Sequence, residues 1–418
     1  MNQQLQSKRT DTSASPITTT ILFADAFDSS GLDSLRALGH TVIAEPSLKA
    51  DDLAEAIATH NPSILVVRST KVQTAAIEAG KKLELIVRAG AGTDTIDIAS
   101  ASRHGVFVCN CPGRNSIAVA ELAWGLILSC DRRIPDQTAD LRAGVWRKKE
   151  YSKADGLHGR TLGIVGLGQI GREIADRGRA FGMQVIAWSR SLDQSTADRL
   201  GINRCESLLN LMRMADVVSI NVAATQDTAE LINRECLEAM KPGSILVNTS
   251  RGSVLDQAAL ADVIKTNGIR SGLDVFANEP PATSETFEDS IVGLPGVYGT
   301  HHVGASTEQA QKAIADLTIE IIRTHLESGE TINCVNLAHE TGAAILTVRH
   351  YNLPGVLAHV FDLIGRAGIN VEEMSNVIYA GGDAACAKIR LSAVPTDEQL
   401  DQIRTNEHVL AAGSTGVA

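Results

Sequence analysis

The chain has 418 residues, enough for two or three domains at about 150 residues each. Hydrophobic residues make up 44% and charged residues 21%, the balance of an ordinary soluble globular protein. The 38 basic and 49 acidic side chains leave a net charge of −11, which argues against nucleic acid held by bulk charge. Aromatics, at 3%, are too sparse for a base-stacking platform. The longest apolar runs, such as Leu122–Leu128, fall short of the roughly 18 residues that a membrane helix needs. Met1–Thr20 is polar, without the apolar core of a secretory signal. The expectation is a cytoplasmic protein with no membrane or nucleic-acid partner. Seven cysteines are scattered along the chain, and Cys109 and Cys111 match neither a CxxC pair nor a zinc knuckle, so reduced thiols and no metal site are expected.

In chain order, residues 1–18 read as a disordered tail rich in Gln, Ser and Thr. Strand-like runs at 21–25, 41–44, 63–67, 83–87 and 106–108 then alternate with helical stretches, the pattern of βαβ units and a parallel sheet. A long apolar-periodic helix is expected from about Ser116 to Arg132. A second alternating series has candidate strands at 162–165, 184–187, 217–220, 244–247 and 272–275, which suits a complete doubly wound nucleotide domain. A helix from about Glu308 to Glu327 would return to the first domain, interleaving the two: 19–112 with 298–335, around 113–297. The pattern weakens between Asn333 and Gly342, where a linker is expected. Residues 343–418 read as βαββαβ, a small ferredoxin-like sandwich, with a Thr396/Gln399 capping box opening its second helix.

Within the second series, Thr161–Gly171 runs a strand into Gly166-x-Gly168-Gln169-Ile170-Gly171 and then a helix. Gly166 permits the turn, Gly168 lets backbone amides approach a pyrophosphate, and Gly171 lets helix and strand pack closely. The flanking strand and helix are the context that gives this motif weight. The acidic residue expected near the next strand end is absent; Ser189-Arg190 stands there. A guanidinium suits a 2′-phosphate, although Arg190 can equally stack on adenine or face solvent. NAD is the expected cofactor, with NADP possible.

Three later stretches each end a strand: Asn248-Thr249-Ser250-Arg251-Gly, Gly272-Leu-Asp274 leading to Glu279-Pro280, and His301-His302-Val-Gly304. Ligands of open α/β sheets bind beyond the carboxyl ends of strands, where these groups converge if the expectation holds. Oxidising a 2-hydroxy acid needs a base for the hydroxyl proton, a clamp for the carboxylate and a hydride acceptor. His302 suits the base, Glu279 its partner and Arg251 the clamp.

Together these motifs resemble the D-isomer-specific 2-hydroxyacid dehydrogenases over roughly residues 20–335. The resemblance implies two interleaved Rossmann-like domains, a catalytic trio of Arg251, Glu279 and His302, and Asp274 beside the nicotinamide amide. His301 takes the place of a usual proline. Asn221-Val-Ala replaces a frequent His-x-Pro, leaving the cofactor contacts there less defined. Arg68-Ser69, Gly90-Ala91-Gly92 and Asn115 look like the substrate segments of the D-3-phosphoglycerate dehydrogenases within this family. By that likeness the Gly90–Gly92 amides bind the carboxylate of 3-phosphoglycerate, and Arg68, Ser69 and Asn115 its phosphate. Lys148 either adds charge from a partner subunit or belongs to a solvated basic loop.

In residues 343–418, His350, Asn352 and Asn370 resemble the serine-holding positions of ACT regulatory domains. This implies an exposed amino-acid site, feedback inhibition by serine and assembly into a homodimer or homotetramer. Two other readings stay open: a glyoxylate or hydroxypyruvate reductase, which Ser189-Arg190 favours, and a non-catalytic nucleotide-sensing corepressor.

Overall fold

The computed structural model describes residues 18–280, 286–338 and 342–417 and divides into two compact units, one ending at Asn336 and one beginning at Leu337. The expected N-terminal tail lies almost wholly outside the described residues.

The first unit contains two parallel sheets. Strands β1 (Thr20–Phe23), β2 (Thr41–Ala44), β3 (Ile64–Val67), β4 (Leu85–Arg88) and β5 (Phe107–Asn110) form one, in the spatial order β2-β1-β3-β4-β5. Strands β6 (Thr161–Val165), β7 (Gln184–Trp188), β8 (Asn203–Arg204), β9 (Val217–Ile220), β10 (Ile245–Asn248), β11 (Arg270–Leu273) and β12 (Val297–Gly299) form the other, in the order β12-β11-β10-β9-β6-β7-β8. Central strands such as β3 and β9 are buried at every position, because parallel sheets are covered on both faces. Each sheet therefore carries two apolar clusters, one per face. The order reverses between β6 and β9 in the larger sheet and between β1 and β3 in the smaller. Such switch points leave a crevice at the carboxyl ends of the strands.

The helix Ser116–Arg132 carries the chain from the small sheet to the large one. Its Trp124 donates to the Ile174 carbonyl at 3.2 Å and stacks on Phe181. The helix Glu308–Ser328 returns, burying Ile314, Leu317, Ile321 and Ile322 against Ile21, Phe23 and Leu35. β12 pairs with β11, so Val297–Gly299 belongs to the larger sheet, and a boundary at residue 298 falls inside that strand. The segment before the second unit is not free either: Asn336 accepts from the Val108 amide and donates to the Val106 carbonyl. The sequence also gave no sign of the helix Ile134–Arg142 or of the short helix Lys148–Tyr151, which places Lys148 on a helical turn.

The second unit is βαββαβ. Strands β13 (Ala344–Tyr351), β14 (Val371–Ile378), β15 (Ala384–Leu391) and β16 (Val409–Gly416) form one antiparallel sheet in the order β14-β15-β13-β16. The expected site on this unit needs correction. His350 sits on β13, 2% exposed, with Nδ1 at 2.7 Å from the Tyr351 carbonyl and Nε2 at 3.2 Å from Asn376 Oδ1. The two-residue alternation that buries Ala344, Leu346 and Val348 buries His350 with them, so its imidazole is not offered from an exposed loop. Asn352 and Asn370 are exposed. β13 and β14 both run antiparallel to β15, so Asn352, just after β13, and Asn370, just before β14, lie at opposite ends of the sheet. Asn352 donates to the Gly382 carbonyl and Asn370 to Glu372.

Candidate active site

The glycine motif sits at the switch point of the larger sheet. Gly166 has φ +90°, and a Cβ there would meet the Asn221 carbonyl oxygen at 2.7 Å; a Cβ on Gly171 would lie 2.3 Å from the Gly166 oxygen. These two glycines are demanded by the protein's own backbone. Gly168 is different: a Cβ there meets nothing within 4 Å, so the space in front of it is open at the start of the helix Gln169–Ala180. That open cradle at the positive end of a 12-residue helix fits a pyrophosphate. Filling it separates binding from folding: Gly168→Val should leave the melting temperature within about 2 °C and weaken NADH binding by about 100-fold, checked by calorimetric titration.

Around this cradle, Gln169 reaches back to Gly113 and Ile170 packs beneath the helix Ser116–Arg132. Asn221 follows β9, its amide bonded to the Val165 carbonyl at 2.7 Å. Ser189 follows β7, and Arg190 pairs with Asp227 at 3.1 Å, both side chains largely exposed. Thr249 is buried, and its hydroxyl has no partner among the described residues.

Arg251 leaves β10 through a turn that Asn248 holds. The fully buried Asn248 side chain accepts from the Ser250 amide and hydroxyl and donates to the Arg251 carbonyl. Next in sequence, Gly252 lies so close to the Phe276 carbonyl that a Cβ would sit 2.0 Å from it, and the Phe276 amide in turn donates to Glu279. The turns bearing Arg251 and Glu279 are thus locked together. The Arg251 guanidinium donates to both Asp94 oxygens, at 3.3 and 3.1 Å, and to the Ser250 carbonyl at 2.8 Å. Of its five N–H groups, two remain free for a ligand. Burial raises the Asp94 pKa, and the bonds and charge of Arg251 outweigh it, keeping the carboxyl ionised below its ordinary range.

His302 Nδ1 lies 2.7 Å from Glu279 Oε2. The bond to Glu279 raises the imidazole pKa against the opposing effect of burial; the same bond lowers that of Glu279, also against burial. His302 has φ +52°, a conformation that the loop around it must impose. Asp274 imposes it: 1% exposed, this carboxylate accepts from the Thr300 hydroxyl (2.6 Å) and the Val303 and Gly304 amides (2.9 Å each). Asp274 and Gly304 therefore hold the loop that carries His302, a role the sequence did not suggest. Asp274→Asn places N–H groups against donors and should cost about 1–3 kcal/mol of stability, lowering turnover with it; thermal denaturation and steady-state rates check both.

The smaller sheet supplies the opposite wall. At its switch point Asp25 Oδ2 accepts from the amides of Arg68, Ser69 and Thr70, fixing that turn. The Arg88 guanidinium folds over Gly90, and that of Arg251 over Gly92. Arg88 is mostly buried, and among the described residues no carboxylate binds it and its Nε lacks a partner. Burial and the positive charges of Arg251 and Arg68 lower its pKa, against the pull of Asp94. The Ala91 carbonyl accepts from Asn110 at 2.6 Å, and Asn115 opens the helix Ser116–Arg132 with a buried Oδ1 that has no partner among the described residues. Asp25, Arg88, Asp94 and Asn248 are contributions the sequence reading missed. An arginine ending a buried parallel strand was the one local signal.

Residues 124–304 match the family model described as "D-isomer specific 2-hydroxyacid dehydrogenase, NAD binding domain". The D-3-phosphoglycerate dehydrogenase of Methanocaldococcus jannaschii is 38% identical over 319 residues, covering 76% of this chain and 59% of that protein. The hydroxypyruvate reductase of Thermotoga maritima is 41% identical over 277 residues, covering 66% of this chain and 88% of that protein. Among solved structures, an NADPH-dependent glyoxylate/hydroxypyruvate reductase from Sinorhizobium meliloti, in complex with NADP and malonate, is 28% identical with a TM-score of 0.66, over 76% of this chain and 96% of that one. The chain thus spans little more than half the length of the matched D-3-phosphoglycerate dehydrogenase and nearly all of the reductase. Identity, coverage and the matched nucleotide domain agree, and the chain belongs to the D-isomer-specific 2-hydroxyacid dehydrogenase family, with an NAD-binding domain.

Proposed function

We propose that this protein oxidises D-3-phosphoglycerate to 3-phosphohydroxypyruvate with NAD(P), the reaction that commits carbon to serine synthesis. One observation carries the choice of substrate: Arg88, a largely buried guanidinium to which no carboxylate among the described residues is bound, faces the charges of Arg68 and Arg251 around the Gly90–Gly92 loop. Three cations, against the carboxylate of Asp94 and that of Glu279, which is bonded to His302, suit a ligand with anionic groups at both ends.

In this reading the Gly166–Gly171 cradle and the Gln169–Ala180 helix hold the dinucleotide pyrophosphate, with Ser189, Arg190, Asn221, Thr249 and Ser250 around it. The bound nicotinamide supplies the hydride acceptor. The free N–H groups of Arg251, with the Ala91 and Gly92 amides, bind the substrate carboxylate and fix which face of C2 is presented, the Gly90 amide being held by the Arg88 carbonyl at 2.7 Å. His302 has Nδ1 committed to Glu279, so Nε2 takes the proton of the C2 hydroxyl, and Glu279 stabilises the imidazolium that results. Arg68, Ser69, Asn115 and Arg88 address the phosphate. Arg190 is already paired with Asp227; an exposed pair of this kind is worth at most about 1 kcal/mol, so a 2′-phosphate can displace the carboxylate and both coenzymes are accommodated.

For the second unit we infer an ACT-type serine site. Asn352 and Asn370 lie at opposite ends of its sheet, so a site using both takes one from each of two copies. This supports at least a homodimer. So does the segment 134–152, whose two helices bury no residue and which exposes Ile134, Leu141 and Trp146, the last 78% exposed. Serine should inhibit, and Asn352→Ala should relieve the inhibition.

Steady-state rates with 3-phosphoglycerate, glycerate, hydroxypyruvate and glyoxylate, each with both coenzymes, test the assignment. A preference for the phosphorylated acid is expected. Preference for the unphosphorylated acids would establish the reductase reading, which the Thermotoga relative favours, and turnover of none would leave the corepressor.

A further inference from the structure

Outside the crevice, two cysteines lie opposite each other at the outer edge of β5. Cys109 and Cys334 form an antiparallel bridge between that strand and the segment that leaves the first unit. The Val335 amide donates to the Val108 carbonyl at 2.8 Å, and the Asn110 amide to the Asn333 carbonyl at 3.3 Å. These bonds bracket the cysteines as a pair with no backbone bond between them. Such pairs hold their Cα atoms about 4.5 Å apart with side chains close, inside the roughly 4.4–6.8 Å window for a disulfide. Each thiol shifts the pKa of the other, and Cys334 donates to Asn336 Oδ1 at 3.2 Å. Cys109 is fully buried, whereas Cys334 is partly exposed.

We propose that Cys109 and Cys334 are a redox pair that peroxide converts to a reversible disulfide, closing the edge of the smaller sheet covalently. The partly exposed Cys334 sulfur attacks one peroxide oxygen; an S–O bond forms, the O–O bond breaks and one water leaves. The Cys109 sulfur then attacks that sulfenic sulfur; the S–S bond forms, the S–O bond breaks and a second water leaves. Two thiols lose two electrons and two protons, and the peroxide takes up both. The roles follow from the surroundings. The neighbouring Cys109 thiol lowers the Cys334 pKa, while Cys109 is held high by Cys334 and by burial. Anionic character therefore gathers on the less buried of the two cysteines. Cys111 shares a face of the segment with Cys109, but its sulfur lies 3.4 Å from the Thr318 hydroxyl within the apolar cluster.

The bridge does not act at the catalytic groups. It fixes Asn333–Asn336 to β5, whose last residue, Asn110, supports the Ala91 carbonyl of the substrate loop. The test uses the full chain treated with hydrogen peroxide. Expected are a mass loss of about 2 Da, loss of two of the seven free thiols, and a crosslink between tryptic peptides 104–114 and 324–349 that dithiothreitol removes. Fragmentation should place the link at Cys109; it should persist in Cys111→Ser and vanish in Cys334→Ser. A link through Cys111, sulfinic acid at Cys334 beside a free Cys109, or seven unchanged thiols would each overturn the proposal, and the wild-type measurement needs no variant to fold.

Discussion

Replacing Arg251 with alanine should lower kcat/KM for the 2-hydroxy acid by about 10³-fold or more while leaving coenzyme affinity within a factor of a few. The guanidinium is held on three sides, by both oxygens of Asp94 and by the Ser250 carbonyl, and its turn is fixed by Asn248 and by the close contact of Gly252 with Phe276. A group so anchored loses little entropy when it grips the substrate, which is how a positioned clamp lowers a barrier. Removing it also leaves Asp94 in the crevice as an unpaired carboxylate, which repels an anionic substrate. Arg251→Lys should recover little, because an ammonium cannot span Asp94 and a ligand with a planar fork. Steady-state kinetics of both variants check this. Wild-type rates in Arg251→Ala would remove the clamp from the mechanism.

The second large effect is on pH dependence. Glu279 raises the His302 pKa above the ordinary 6.5, so the imidazole is protonated over a wider range than a free one. Oxidation requires the neutral imidazole as base, so its kcat/KM should rise with pH through this elevated pKa. Reduction of the keto acid requires the imidazolium as donor and should fall through the same pKa. Glu279→Gln removes the carboxylate and should move both limbs to lower pH, with a loss of about 10–100-fold in rate. Rate profiles in both directions settle the sign. Parallel limbs, or a midpoint that stays in place without Glu279, would mean that His302 is not the group that titrates.

What the sequence revealed followed from the range of each interaction. The glycine motif is local, its three glycines and flanking strand and helix lying within one short segment, and the structure shows why two of them are required and the third opens a space. The two alternating βα series and the βαββαβ tail are likewise periodic over a few residues. The contacts that shape the site are not local. Asp94 meets Arg251 across 157 residues, and Asp25 caps the amides of Arg68–Thr70 only because β1 and β3 are neighbours at a switch point. Arg88 reads as one arginine among many until its burial without a carboxylate partner among the described residues is seen. Asp274, which resemblance placed beside the nicotinamide, has its carboxylate occupied by the His302 loop. His350 was misplaced for a simpler reason: the alternation of β13 was legible in Ala344, Leu346 and Val348, and its extension by one more step puts the imidazole inside.

A crystal structure of the protein with NADH and a 2-hydroxy acid tests the account most directly. It should show the Arg251 guanidinium on the carboxylate and His302 Nε2 about 3 Å from the oxygen on C2, with the hydrogen on C2 facing the nicotinamide. A substrate bound with that oxygen turned away from His302, or held without Arg251, would contradict it.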